Sequence, residues 1–321
     1  MRRTTTTPPR SYVGAAAVAA AGLLLAACGG GSDPLEAEES DSPSPEGSGG
    51  TAAGSVVVGS ANFSENTLLA EIYAGALTAA GVDVETKLNI GARDVYLKAM
   101  EPGDESVDVM PEYTGVLRDY YEPDQSGTDA DEVYKELTAS LPDYVTALEP
   151  SAAEDKDAVV VTQDTADEYG LASLADLADV AGDLTLGGPP EFKTRFTGVP
   201  GLQEVYGVEF GDYRELDAGG PLSMRALLNG QVDAANIFTT DPNIEAEGLV
   251  ALEDPEALFA AQNVVPLVRT DVLTDDIEST LDEVSAALDT ETLVRLNAQV
   301  ILDKEDPADV AQEFLTDNDL G

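Results

Sequence analysis

The chain has 321 residues, 43% of them apolar, and carries 16 Lys and Arg against 62 Asp and Glu, for a net charge of −46, with no His and one Cys. Phosphate backbones are held by basic clusters, so this composition excludes nucleic acid as a partner. It also excludes Cys/His zinc sites, His-dependent nucleophiles and any internal disulfide, so an enzyme would have to work with carboxylates, Lys, Arg and Tyr alone. The length predicts two lobes, and the surplus carboxylates read as a solvated surface, one suited to high salt.

In chain order, Arg2, Arg3 and Arg10 precede an apolar run from Val13 to Ala27 that is short for a membrane span of about 20 residues. This pattern predicts a signal peptide over residues 1–27. The run ends in Leu25-Ala26-Ala27-Cys28-Gly29 and resembles the lipobox of bacterial lipoproteins. By that resemblance Cys28 becomes the lipidated first residue of a mature chain, anchored to the outer face of the cell membrane by more than one acyl chain. A plain signal peptide or an uncleaved anchor are the alternatives. Residues 28–54, rich in Gly, Ser, Pro, Glu and Asp, cannot bury a core and read as a disordered tether.

Ser55-Val-Val-Val-Gly59 reads as a first strand. Asn62 and Glu65 have capping-box spacing ahead of a helix carrying Leu68, Leu69, Ile72, Ala76 and Leu77, which Gly81 ends. The free N–H groups at the start of that helix suit an anionic or polar ligand group. Val82, Val84, Leu88 and Ile90 alternate as a strand, and Gly91-Ala-Arg-Asp94 opens another helix that runs through Val95 to Met100. Val107 to Met110 is strand-like and is expected to stop pairing at Pro111, which has no N–H. Residues 115–121 and 129–141 read as helices and 144–148 as a strand. A second lobe begins at Ala158-Val-Val-Val161, followed by an acidic helical pair over 165–181, strands at 184–186 and 213–216, and a helix over 222–228. Strands at 249–252 and 264–268 precede three acidic helices between Asp275 and Leu320, expected to pack on the first lobe. This alternation predicts an α/β chain: 55–155 in lobe 1, 156–262 in lobe 2, and 263–321 returning to lobe 1, hinged near Asp155 and Gln262.

One pattern occurs twice. Val107-Asp108 leads to Tyr113-Thr114, and Val232-Asp233 leads to Phe238-Thr239, with an offset of 125 residues. Two strands of one design, each presenting an aromatic–Thr pair at its carboxyl end, predict two similar lobes facing one ligand cleft.

From about Ser55 onward the chain resembles the substrate-binding lipoproteins of the osmoprotectant ABC transporters, the glycine betaine/choline/carnitine group. The resemblance rests on Gly59-Ser-Ala-Asn-Phe-Ser-Glu65, Pro111-Glu-Tyr-Thr-Gly115, Gly188-Pro-Pro-Glu-Phe192, Pro200-Gly-Leu202 with Tyr206-Gly207, Leu216-Asp-Ala-Gly-Gly220, Thr239-Thr-Asp241 and Gln262-Asn-Val-Val-Pro266, in that order. It implies a two-lobed periplasmic-binding-protein-like (type II) fold that closes on a small solute without chemistry or cofactor. It further implies a monomer outside the cytoplasm that serves permease and ATPase subunits on separate chains. A family member holds a quaternary ammonium in aromatic rings and its carboxylate on a basic residue. Tyr113 falls on a ring position and Arg195 on the carboxylate-binding arginine; Phe238 keeps a ring without its hydroxyl. Asp157 and Gln262 stand where the family has further tyrosines, and Ala61 and Val116 where it has a lysine and a threonine. Asn62, Thr114 and Thr239 complete the expected ligand set. The losses leave two solute classes open: betaine-like solutes or another polar solute. A ligand sensor on the same fold, or an enzyme using Asp157 with Glu112, are the remaining alternatives.

Overall fold

The computed structural model describes residues 55–123 and 127–321. The leader, Cys28 and the tether lie outside the described residues. The first half runs β1 (Val56–Gly59), α1 (Ser64–Ala79), β2 (Val84–Lys87), α2 (Arg93–Met100), β3 (Val109–Tyr113), α3 (Thr114–Tyr121), α4 (Ala130–Ser140) and β4 (Val145–Ala147). Then come β5 (Asp157–Thr162), α5 (Gln163–Tyr169), β6 (Thr185–Gly188), α6 (Val199–Tyr206), β7 (Asp212–Glu215), α7 (Pro221–Leu228), β8 (Ala234–Phe238), α8 (Asn243–Ala246) and β9 (Leu249–Ala251). The chain ends with β10 (Val264–Arg269), α9 (Asp275–Ala287), α10 (Thr290–Ile301) and α11 (Pro307–Asp317).

The strands form two five-stranded sheets, ordered β2-β1-β3-β10-β4 and β7-β6-β8-β5-β9. Their designs match. β3 runs parallel to β1 and antiparallel to β10, and β8 runs parallel to β6 and antiparallel to β5. Helices cover both faces of each sheet, as parallel strands require. In the first lobe, Leu68, Ile72, Tyr73 and Leu77 of α1 share a core with Leu281, Val284, Leu296 and Phe314 of the last three helices. A Cβ on Gly75 would lie 2.5 Å from Leu315 Cδ1, so the missing side chain makes room for that leucine of α11 against α1. Acidic residues do local work in this half. Asp129, Asp289 and Asp306 cap α4, α10 and α11 by accepting backbone N–H groups, and other carboxylates sit in the first turns, where the helix dipole favours them.

Three expectations are corrected. β3 does not stop at Pro111. It continues to Tyr113, with Pro111 directly opposite Pro266 of β10. In an antiparallel ladder such a pair can occupy the site that exchanges no hydrogen bonds, and both carbonyls point outward, Pro111 O to Asn66 and Pro266 O to Leu148 N. Asn62 does not cap α1; Phe63 is the N-cap residue and makes no side-chain bond to it. The acidic stretch 165–181 forms one α-helix followed by 3-10 turns rather than a pair of α-helices, because Gly170 at φ 71° ends α5 and Ser173 with Asp176 opens a 3-10 turn over Leu174–Leu177, with another at Ala181–Asp183.

The chain leaves the first sheet after β4 and returns to it in β10. The two crossings lie side by side, bridged at Glu154 and Asn263 and by Asp155 N donating to Gln262 O. Among the described residues no helix is long and apolar enough to cross a membrane.

Candidate functional site

Tyr113 and Phe238 stand at the carboxyl ends of the two central strands, and both line one cavity of about 720 Å³. That volume falls within the range of about 300–1,000 Å³ usual for small-molecule sites. A third ring, Phe63, stands with them. Its centroid is 6.2 Å from Tyr113 and 5.3 Å from Phe238. Phe63 comes from the turn before α1 and was not legible as a site residue, since its motif reads equally well as a helix entrance. The Phe238 ring lies close to Gly219, where an added Cβ would be 2.7 Å from it and the φ of +60° already disfavours side chains. Asp217 holds that turn by accepting from Leu222 N, Ser223 N and the Ser223 hydroxyl at the start of α7.

The second lobe adds a polar wall. Asp157 lies directly across from Phe238 in the β5–β8 ladder. Its Oδ2 accepts from Arg195 Nη2 at 2.6 Å and its Oδ1 from Asn236 Nδ2 at 2.9 Å. The Arg195 guanidinium also rests 5.4 Å from the Phe192 ring, a geometry that favours the cation. Arg195 Nε and Asn236 Oδ1 are buried without a partner among the described residues. In the first lobe Arg93, also unforeseen, lines the cavity and binds Glu112 through Nε and Nη2, each at 2.9 Å. Burial opposes the Arg93 charge, but Glu112 beside it raises the guanidinium's proton affinity above its ordinary range. Glu112 is fully buried and also accepts from Tyr96 and from Tyr113 N. Asp157 and Glu112 are thus each held by their own donors, not arranged as a free acid and base.

The Tyr113 hydroxyl donates to Glu65 Oε1 at 2.6 Å. Glu65 Oε2 accepts from Thr240 Oγ1 at 2.5 Å and Asn297 Nδ2 at 2.6 Å. Glu65 therefore ties α1, β3, α10 and the segment after β8 together at the junction of the lobes. Burial, with Glu65 and Asp155 nearby, pushes the Tyr113 hydroxyl far above its usual range and keeps it a donor.

Of the expected site residues, Asn62, Tyr113, Asp157, Arg195, Phe238 and Gln262 line the cavity. Gln262 caps α3, its Oε1 accepting from Val116 N at 2.9 Å. Thr114 and Thr239 do not line the cavity. Thr114 Oγ1 donates to Ala261 O and accepts from Asn263 N, and Thr239 Oγ1 accepts from Lys156 N. The repeated threonines each fasten one of the two crossings. The repeat marked them, but their partners lie far away in sequence.

Asp155, on the first crossing, lines the same cavity, and burial followed by the charge of Glu65 raises its carboxyl well above the usual range. A carboxyl that holds its proton more tightly folded than unfolded loses stability as pH climbs from the ordinary carboxylate range through its raised one. Asp155→Asn removes that loss while keeping an acceptor for Thr240 N. Thermal unfolding from pH 5 to pH 8 is therefore expected to show the variant's Tm gaining on the wild type as pH rises, by about 2–4 °C per kcal/mol recovered. A constant difference across that range would refute the assignment.

Two α/β lobes joined by paired crossings, with rings from facing strand ends in one shared cavity, define a two-lobed solute-binding protein of the type II periplasmic class. The chain belongs to the family described as the substrate binding domain of ABC-type glycine betaine transport systems, whose model matches residues 54–317. It is 31% identical over 82% of its length to glycine betaine-binding protein YehZ of Escherichia coli, covering 90% of that protein. It is 29% identical over 82% of its length to a glycine-betaine-binding protein of Pseudomonas aeruginosa, covering 88% of it. Its fold matches the crystal structure of a glycine betaine/carnitine/choline ABC transporter protein with a TM-score of 0.65 at 23% identity, over 83% of this chain and 99% of that one. The family consists of binding components of transporters, not enzymes.

Proposed function

We propose that the protein captures a small quaternary-ammonium osmolyte outside the cytoplasm and delivers it to the permease of an ABC importer. The observation that carries this reading is the set of three rings, Phe63 and Tyr113 from one lobe and Phe238 from the other, lining one cavity beside Arg195. Ring faces attract a cation that water solvates poorly, and a solute touching both lobes favours their closed arrangement. Residues 55–155 and 263–321 act as one body and 156–262 as the other, with the bridged crossings as hinge. A lipid on Cys28 holds the monomer near its permease, with residues 28–54 as the tether.

Calorimetric titration with glycine betaine, carnitine and choline tests this reading, and binding of none of them removes it. Arg195→Ala is expected to weaken the carboxylated ligands at least tenfold, because it removes a charge-assisted donor worth about 1.5–3 kcal/mol and leaves the Asp157 carboxylate beside the cavity without its cation. Unchanged affinity for both carboxylated ligands would take Arg195 out of the site.

A further inference from the structure

Within that reading, the charges around the cavity discriminate between ligands. Three of the seven arginines among the described residues line it, which at first suggests an anion site. Each, however, is already paired with a carboxylate of the chain: Arg93 with Glu112 at 2.9 Å, Arg118 with Asp119 and Glu136 at 2.8 Å, and Arg195 with Asp157 at 2.6 Å. Six carboxyl residues line the cavity against those three guanidiniums: Asp94, Asp119, Asp155, Asp157, Glu191 and Glu256. No unpaired guanidinium lines it among the described residues. A ligand carboxylate placed on Arg195 would share that guanidinium with Asp157 and meet its charge at close range. A cation on the rings would instead face a lining in which carboxyl residues outnumber guanidiniums, with Asp157 directly across the ladder from Phe238.

A second observation concerns hydrogen bonding. Arg195 Nε is a buried donor without an acceptor, and Asn236 Oδ1 is a buried acceptor without a donor. Both belong to side chains bound to the same carboxylate, one to each oxygen of Asp157. Buried polar groups left unpaired are costly, and both residues line the cavity, so a ligand group that reaches either atom is favoured. A hydroxyl can pair with a donor or with an acceptor, whereas an ionised carboxylate can only accept and so can serve Arg195 alone.

We infer that this cleft selects a net-cationic quaternary-ammonium alcohol over a carboxylated zwitterion, with Asp157 as the residue that sets the preference. The inference rests on the function proposed above. The test is isothermal titration of the full-length protein and its Asp157→Asn variant with choline, glycine betaine and carnitine. The wild type is expected to bind choline at least tenfold more tightly than glycine betaine, with carnitine, which has both a hydroxyl and a carboxylate, also weaker than choline. In Asp157→Asn, choline is expected to lose tenfold or more while glycine betaine gains severalfold, because Arg195 is released. Glycine betaine binding as tightly as choline to the wild type overturns this inference and leaves the osmolyte reading standing. So does a variant that shifts both ligands in the same direction. Failure of all three ligands to bind overturns both.

Discussion

Glu65→Ala is expected to be the most destabilising single substitution in the site. It strips partners from the Tyr113 hydroxyl, the Thr240 hydroxyl and the Asn297 amide, and all three residues are at most 6% exposed. Each donor left unpaired costs about 1–3 kcal/mol, and breaking a buried charged cluster typically costs about 3–5 kcal/mol in total. Part of this is offset, because Asp155 no longer faces the Glu65 charge and can ionise more readily. At about 2–4 °C per kcal/mol, the melting temperature should fall by roughly 10 °C. Glu65→Gln keeps one acceptor oxygen and should fall less far. Thermal denaturation at neutral pH checks both, and an alanine variant as stable as the wild type would show that the cluster does not hold the lobes' junction.

The second large effect is expected on binding. Tyr113→Ala removes one of the three rings and, with it, the hydroxyl that reaches Glu65. A desolvated cation–π wall contributes up to about 2 kcal/mol, which corresponds to about thirtyfold in affinity. Tyr113→Phe separates the two roles: it keeps the ring and should bind within about threefold of wild type, while losing stability through the unpaired Glu65 oxygen. Titration of both variants with choline decides the matter. If Tyr113→Ala binds as tightly as wild type, the rings are packing groups and not a cation site.

Phe63 shows how a cavity-lining ring can go unnoticed in a sequence. Its neighbours Asn62 and Glu65 have the spacing of a helix cap, which is a sufficient local explanation for the whole motif. Only the fold reveals that Glu65 turns from the helix toward Tyr113, Thr240 and Asn297, the last of them 232 residues away. Arg93 is a similar case, because its significance depends on the buried Glu112 behind it.

Local chemistry in the chain was enough to determine the alternation of strands and helices, the two-lobed class and the pair of aromatic residues at matching strand ends. Hydrophobic periodicity and glycine placement are short-range signals, and the 125-residue repeat is a comparison of two local patterns, so all of them survive without coordinates. Tertiary structure alone decided what the polar residues do. Thr114 and Thr239 became fasteners of the crossings, Gln262 a helix cap, and every cavity arginine the partner of an internal carboxylate. The physical reason is that a charge or hydrogen-bond donor is defined by what it faces once buried, and these partners are brought together only by folding.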